Sequence, residues 1–159
     1  MALPSLVVFD LDFTLWDCGG LWIDCAAYPF SKTATGSIID SSGRTLRLYE
    51  DVLDILAELD ELPIPIGVAS RTEQPDWARD LLNLFEIKDR FQFAEIYPDS
   101  KTEHFTGLRE ESGFAFEEML FFDDEVRNIR GVGALGVNCI EVHRGIDGTL
   151  FRDAMEAFI

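Results

Sequence analysis

Basic residues are scarce in this sequence. Thirteen Lys and Arg stand against thirty Asp and Glu in 159 residues, a formal net charge of −17. A field of that sign repels nucleic-acid phosphates and anionic membrane surfaces, so neither is an expected partner. Long apolar runs are missing too: no stretch approaches the roughly 20 residues of a membrane-spanning helix, and Met1 to Pro4 run into a strand-like segment with no basic leader. Cysteine is limited to Cys18, Cys25 and Cys139, an odd count without C-x-x-C spacing or a Cys/His cluster. That excludes the pattern of a disulfide scaffold or a structural zinc site, and fits reduced thiols in the cytoplasm. Repeats, linkers and low-complexity tracts are also lacking. What is present is apolar material, 47% of the chain with 12% aromatic, enough for the core of one domain over residues 1–159.

The apolar material comes in a recurring order. Ser5 to Phe9 is a short β-branched run of the kind buried on both faces of a sheet. Similar runs cover Ile64 to Ala69, Phe91 to Ile96, Met119 to Phe122 and Val137 to Val142. Between them, helical spacing appears over Glu50 to Glu61, Pro75 to Leu84, Lys101 to Glu111, with Ser100 as its cap, and Glu125 to Leu135; a last amphipathic helix spans Thr149 to Ile159. Strands alternating with ten-residue helices predict an α/β fold, a doubly wound, Rossmann-like parallel sheet with helices on both faces. Ser37 to Asp40 and Arg44 to Leu48, around a turn with Gly43, predict a small β-hairpin within an insertion over about residues 17–48. Neither this insertion nor the stretch from Ser70 to Lys101 has room for a cap domain.

In a parallel sheet, chemistry gathers in the loops that follow the strands. After the first run comes Asp10-Leu-Asp-Phe-Thr14, after the second Ser70-Arg-Thr72, after the third Tyr97-Pro-Asp-Ser-Lys101, and after the fourth Asp123-Asp124. With 16 Asp and 8 Thr in the chain, a D-x-D-x-T string arises by chance about 0.08 times per sequence. The ordered set of four is far more specific than any member. Its chemistry is that of phosphate-ester hydrolysis: Asp10 as nucleophile at phosphorus, and Asp12 as the acid that protonates the leaving oxygen and then activates water. Mg²⁺ would be held by Asp10, the backbone carbonyl of Asp12 and Asp123. Ser70 and Lys101 would bind phosphoryl oxygens, and Arg71 would either bind the substrate's phosphate or anionic tail or form a structural salt bridge. Thr14 would steady the Asp12 loop, and Asp124 would orient metal-bound water or Lys101. Trp16 and Trp22 read as packing aromatics, with the floor of a substrate pocket as the alternative, His104 and His143 as surface or satisfied histidines, and the glycines from Gly131 to Gly136 as helix packing and a C-cap.

These strings resemble the four motifs of the haloacid dehalogenase superfamily of phosphohydrolases: Phe9-Asp-Leu-Asp-Phe-Thr-Leu15, Ser70, Lys101 and Asp123-Asp124. More narrowly, Phe9 to Trp16, Ala69-Ser-Arg-Thr72, Ile96 to Lys101 and Phe121 to Ile129 are similar to the magnesium-dependent phosphatase-1 family. The resemblance implies the same roles for Asp10, Asp12, Ser70, Lys101 and Asp123, with Mg²⁺ as cofactor and a phosphotyrosine protein or a sugar-type phosphate as substrate. Asn128 falls where relatives often carry a further Asp. The enzyme would be a cytoplasmic monomer whose uncapped site stays open to solvent. Two rival classes use similar residues: a phospho-accepting receiver module, and a non-catalytic phosphate-binding scaffold. A receiver stores its phosphoryl group after a middle strand, and here no Asp directly ends the third run.

Overall fold

The computed structural model describes residues 2–159; Met1, the start of the segment expected to run into the first strand, lies outside the described residues. In chain order the elements are β1 (Leu6–Phe9), β2 (Trp16–Asp17), β3 (Ser31–Lys32), β4 (Ile38–Ile39), β5 (Thr45–Leu48), α1 (Val52–Glu61), β6 (Ile66–Ser70), α2 (Pro75–Leu84), β7 (Phe93–Ile96), α3 (Lys101–Ser112), β8 (Met119–Asp123), α4 (Val126–Gly133), β9 (Asn138–Glu141) and α5 (Gly148–Ala157). Five strands form one parallel sheet in the order β7-β6-β1-β8-β9. This is the α/β architecture that the alternating pattern predicts.

Alternation along the central strands builds two cores. Val7 and Phe9 of β1, Ile66 and Val68 of β6, and Leu120 and Phe122 of β8 face one side, where α1, α2 and α5 contribute Leu56, Leu81 and Phe151. Leu6 and Val8, Ala69, and Met119 and Phe121 face the other, against Phe105 and Leu108 of α3 and Val132 of α4. A strand buried on both faces needs apolar residues at successive positions, which is why these segments read as continuous runs. Pro63 ends the α1 pattern, Pro75 opens α2 at its first position, and the Ser100 hydroxyl accepts from the Glu103 N–H at the start of α3.

The insertion holds more than the predicted hairpin. β4 and β5 pair antiparallel as expected, and β2 and β3 flank them to make a four-stranded sheet in the order β2-β5-β4-β3. β2 and β3 are two residues each, too short to show a period in sequence. Among the described residues no helix is long and apolar enough to cross a membrane.

Candidate active site

Because β1 lies between β6 and β8 and all three run the same way, the residues at their carboxyl ends become neighbours. Asp10 follows β1, Ser70 ends β6 and Asp123 ends β8. Lys101, the first residue of α3, points its ammonium into the gap: Nζ donates to Asp10 Oδ1 at 3.0 Å, to Asp123 Oδ2 at 2.9 Å and to the Ala69 carbonyl at 2.7 Å. All three charged side chains are buried. A lysine so placed keeps its proton: burial lowers its pKa, but Asp10 and Asp123 outweigh that and raise it.

The carboxylates carry more negative charge than one ammonium balances. Oxygens of Asp10, Asp123 and Asp124 lie within 4.8 Å of one another. Burial pushes Asp10 up to about 7, with Lys101 pulling the other way and Asp124 adding to the rise. Burial likewise lifts Asp123 to about 6, reinforced by Asp10, and Asp124 to about 6. Three crowded oxygen donors of this type are hard ligands, and a divalent cation relieves their repulsion, so the residues present suit a magnesium ion.

Asp12 turns elsewhere. Its Oδ1 accepts from the Trp16 indole Nε1 at 2.8 Å and from the Ile23 backbone N–H at 3.1 Å. Burial raises its pKa to about 7, and the Trp16 donor offsets part of the rise. Its side chain is absent from the carboxylate cluster, which leaves the backbone carbonyl as the group expected to reach a metal. The Thr14 hydroxyl donates to Asp10 Oδ2 at 3.4 Å, so it touches Asp10 and not the Asp12 side chain. Lys101 is held by Asp10 and Asp123, with no contact to the Asp124 carboxylate.

Ser70 Oγ accepts from the Thr72 N–H at 3.3 Å, which leaves its own hydrogen for another acceptor. Arg71 Nη1 donates to Asn128 Oδ1 at 3.2 Å, and the same amide's Nδ2 donates to Asp123 Oδ2 at 3.1 Å. Asn128 therefore couples Arg71 to Asp123, a link invisible in sequence because it spans 57 and 5 positions through one side chain. His104 departs from expectation: it is fully buried, its Nε2 meets the Tyr97 carbonyl at 2.9 Å, and its Nδ1 has no partner among the described residues. Burial lowers its pKa to about 4.

Asp10, Asp12, Ser70, Arg71, Lys101, Asp124 and Asn128 line a cleft of about 360 Å³, together with the half-exposed Trp22, Asp24, Glu73 and Arg127. Trp22 and Asp24 come from the insertion. Asp24 Oδ1 accepts from the Thr72 hydroxyl at 2.6 Å and Oδ2 from the Glu73 N–H at 2.9 Å, tying the insertion to the loop after β6.

A parallel sheet that presents an Asp-x-Asp loop, a serine, a lysine and an Asp-Asp pair along one edge defines a haloacid-dehalogenase-like hydrolase. The fold matches the crystal structure of a haloacid-dehalogenase-superfamily hydrolase from Ehrlichia chaffeensis with TM-score 0.70 at 13% identity, covering 98% of this chain and 96% of that one. Within that class the chain belongs to the acid phosphatase family, whose profile matches residues 2–159. It is 42% identical over 157 residues to the protein named magnesium-dependent phosphatase 1 from Homo sapiens, covering 98% of this chain and 88% of the human one. A haloacid-dehalogenase-like hydrolase superfamily protein of Schizosaccharomyces pombe is 41% identical over 150 residues, covering 87% of this chain and 85% of the yeast protein.

Proposed function

We propose that this chain is a Mg²⁺-dependent phosphomonoesterase that works through a phospho-Asp10 intermediate. One observation carries the reading: Asp10 and Asp123, buried at the ends of adjacent strands, share a single lysine while Asp124 adds a third carboxylate. That surplus of buried negative charge calls for a cation. The human relative's name specifies magnesium, and the donor chemistry agrees. Asp10, Asp123 and the Asp12 backbone carbonyl would hold the ion, with Asp124 beside it; when bound it neutralises phosphoryl oxygens and charge developing in the transition state.

The chain's own groups divide the remaining work. Ser70, Lys101 and Arg71 bind and orient the phosphoryl oxygens, and an Asp10 carboxylate oxygen attacks phosphorus in line with the departing ester oxygen. Asp12 gives its proton to that oxygen, and later takes one from the water that hydrolyses the aspartyl phosphate. The open cleft admits a phosphorylated protein side chain, phosphotyrosine foremost, or a small sugar-type phosphate. The protein acts as a cytoplasmic monomer on one domain, without nucleic-acid or membrane partners. The test is release of p-nitrophenol from p-nitrophenyl phosphate with Mg²⁺ and with excess chelator, beside Asp10→Asn. Metal-dependent turnover that vanishes in the variant supports the reading; full activity of Asp10→Asn overturns it.

A further inference from the structure

Asp12 differs from the other acids of the rim in how its carboxylate is held. Both donors that reach it, the Trp16 indole and the Ile23 N–H, fall on Oδ1. No described residue donates to Oδ2, and Asp12 is among the residues that line the cleft. An oxygen that already faces two N–H groups has no room for a proton of its own, because hydrogen would be set against hydrogen; a proton on this carboxyl belongs on Oδ2.

The two donors are themselves fixed. Trp16 is wholly buried, its ring 6.0 Å from that of Phe85 and its backbone paired with Leu48. Its carbonyl accepts from the Phe13 N–H at 2.9 Å, closing a turn in which Phe13 takes the left-handed φ of 61°. For a bulky residue that conformation persists only where its surroundings enforce it. The Ile23 N–H begins the short 3-10 turn over Ile23–Cys25, which Asp24 fastens to Thr72 and Glu73. The carboxylate is thus gripped from the β1 loop and from the insertion at once.

We propose that Trp16 and the Ile23 backbone N–H are positioning groups for Asp12, which direct its proton to Oδ2 and aim that oxygen at the departing ester oxygen. This rests on the reading of Asp12 as the proton-transfer group. In the first displacement an Asp10 oxygen bonds to phosphorus as the bond from phosphorus to the ester oxygen breaks. The Oδ2 proton passes to the ester oxygen, and the negative charge left on Asp12 meets two N–H donors at Oδ1. In the second, water oxygen bonds to phosphorus, the Asp10 oxygen departs as carboxylate, and Oδ2 takes the water's proton.

The test compares kcat/KM for phenyl phosphate, whose leaving oxygen needs a proton, with kcat/KM for dinitrophenyl phosphate, whose leaving group departs without one. Trp16→Phe keeps a ring against Phe85 and loses the N–H. It should raise the preference for the dinitrophenyl ester by about tenfold, a part of what general acid catalysis supplies. The preference is a ratio within one preparation, so incomplete folding cannot imitate it. Ile23→Pro removes the second donor, and Trp22 at φ −65° and ψ 151° already has the conformation that precedes proline; it should shift the ratio in the same direction. Asp12→Asn, measured alongside, reports on the underlying reading. A shift in Asp12→Asn with wild-type ratios in both other variants overturns the positioning role alone. A wild-type ratio in Asp12→Asn overturns the acid itself, and the positioning role with it.

Discussion

A lysine ammonium enclosed by two carboxylates and a carbonyl is held by charge, and removing it leaves those acids without compensation. Lys101→Met should therefore destabilise the protein by about 3 kcal/mol when a chelator is present, measured by urea denaturation, and Mg²⁺ should restore part of the loss. Equal stability of variant and wild type in chelator would contradict the packing of Lys101 between Asp10 and Asp123. Asn128 works differently, through a neutral amide that donates to Asp123 and accepts from Arg71. Asn128→Asp would set a carboxylate against Asp123 and neutralise Arg71, so the inhibition constant of inorganic phosphate should rise about tenfold, equivalent to 1.4 kcal/mol. An unchanged constant would remove Arg71 from phosphate binding. At this scale the sequence shows Asp10, Ser70, Lys101 and Asp123, because each directly follows an apolar run or opens a helix. It hides the contacts of Trp16 with Asp12 and of Asn128 with Asp123, which depend on which way an N–H points after the chain has folded.

Elements differ in how firmly they are held. The turn between β4 and β5 rests on Asp40, whose buried carboxylate accepts from the N–H groups of Ser42, Arg44 and Ala27 and from the Ser42 hydroxyl. Burial raises the pKa of Asp40, but these four donors outweigh it and lower it to about 2. Since the folded value is depressed below the ordinary 3.8, the stabilisation is complete above pH 3.8, declines below it, and is lost as pH falls through about 2. Asp40→Asn should cost about 2 kcal/mol at neutral pH, with the gap to wild type closing toward pH 2; a gap independent of pH would contradict the assignment. Asp24 ties the insertion to the loop after β6 by two hydrogen bonds only. Asp24→Ala should speed amide hydrogen exchange over residues 18–30 while leaving β1 and β8 protected, and unchanged exchange would mean the insertion is held by other contacts. The long elements are legible because buried strands and amphipathic helices each impose a period, and α2 begins at the proline that the pattern singles out. β2 and β3 are illegible for the same reason reversed, since two residues impose none.

Across the whole molecule, the net charge of −17 surrounds a site meant for anions, and only Lys101 and the nearby arginines locally oppose it. A phosphopeptide rich in acidic residues should consequently bind better as salt is raised from about 0.01 M to 0.15 M, where the screening length shortens from about 30 Å to 8 Å. Its KM should fall more than that of p-nitrophenyl phosphate; equal response of the two would show that the field of the molecule does not reach the substrate. The sheet order β7-β6-β1-β8-β9 gives this arrangement its focus, placing the Asp10 loop centrally so that Ser70 and Asp123 flank it. Every role proposed for the site depends on Asp10 accepting the phosphoryl group, and rapid-quench trapping with radiolabelled phosphate ester probes that step itself. In Mg²⁺ the label should appear on the peptide that carries Asp10, yield to hydroxylamine as an acyl phosphate does, and be missing from Asp10→Asn. Steady turnover by Asp10→Asn, or label on any other residue, would contradict a phospho-Asp10 intermediate.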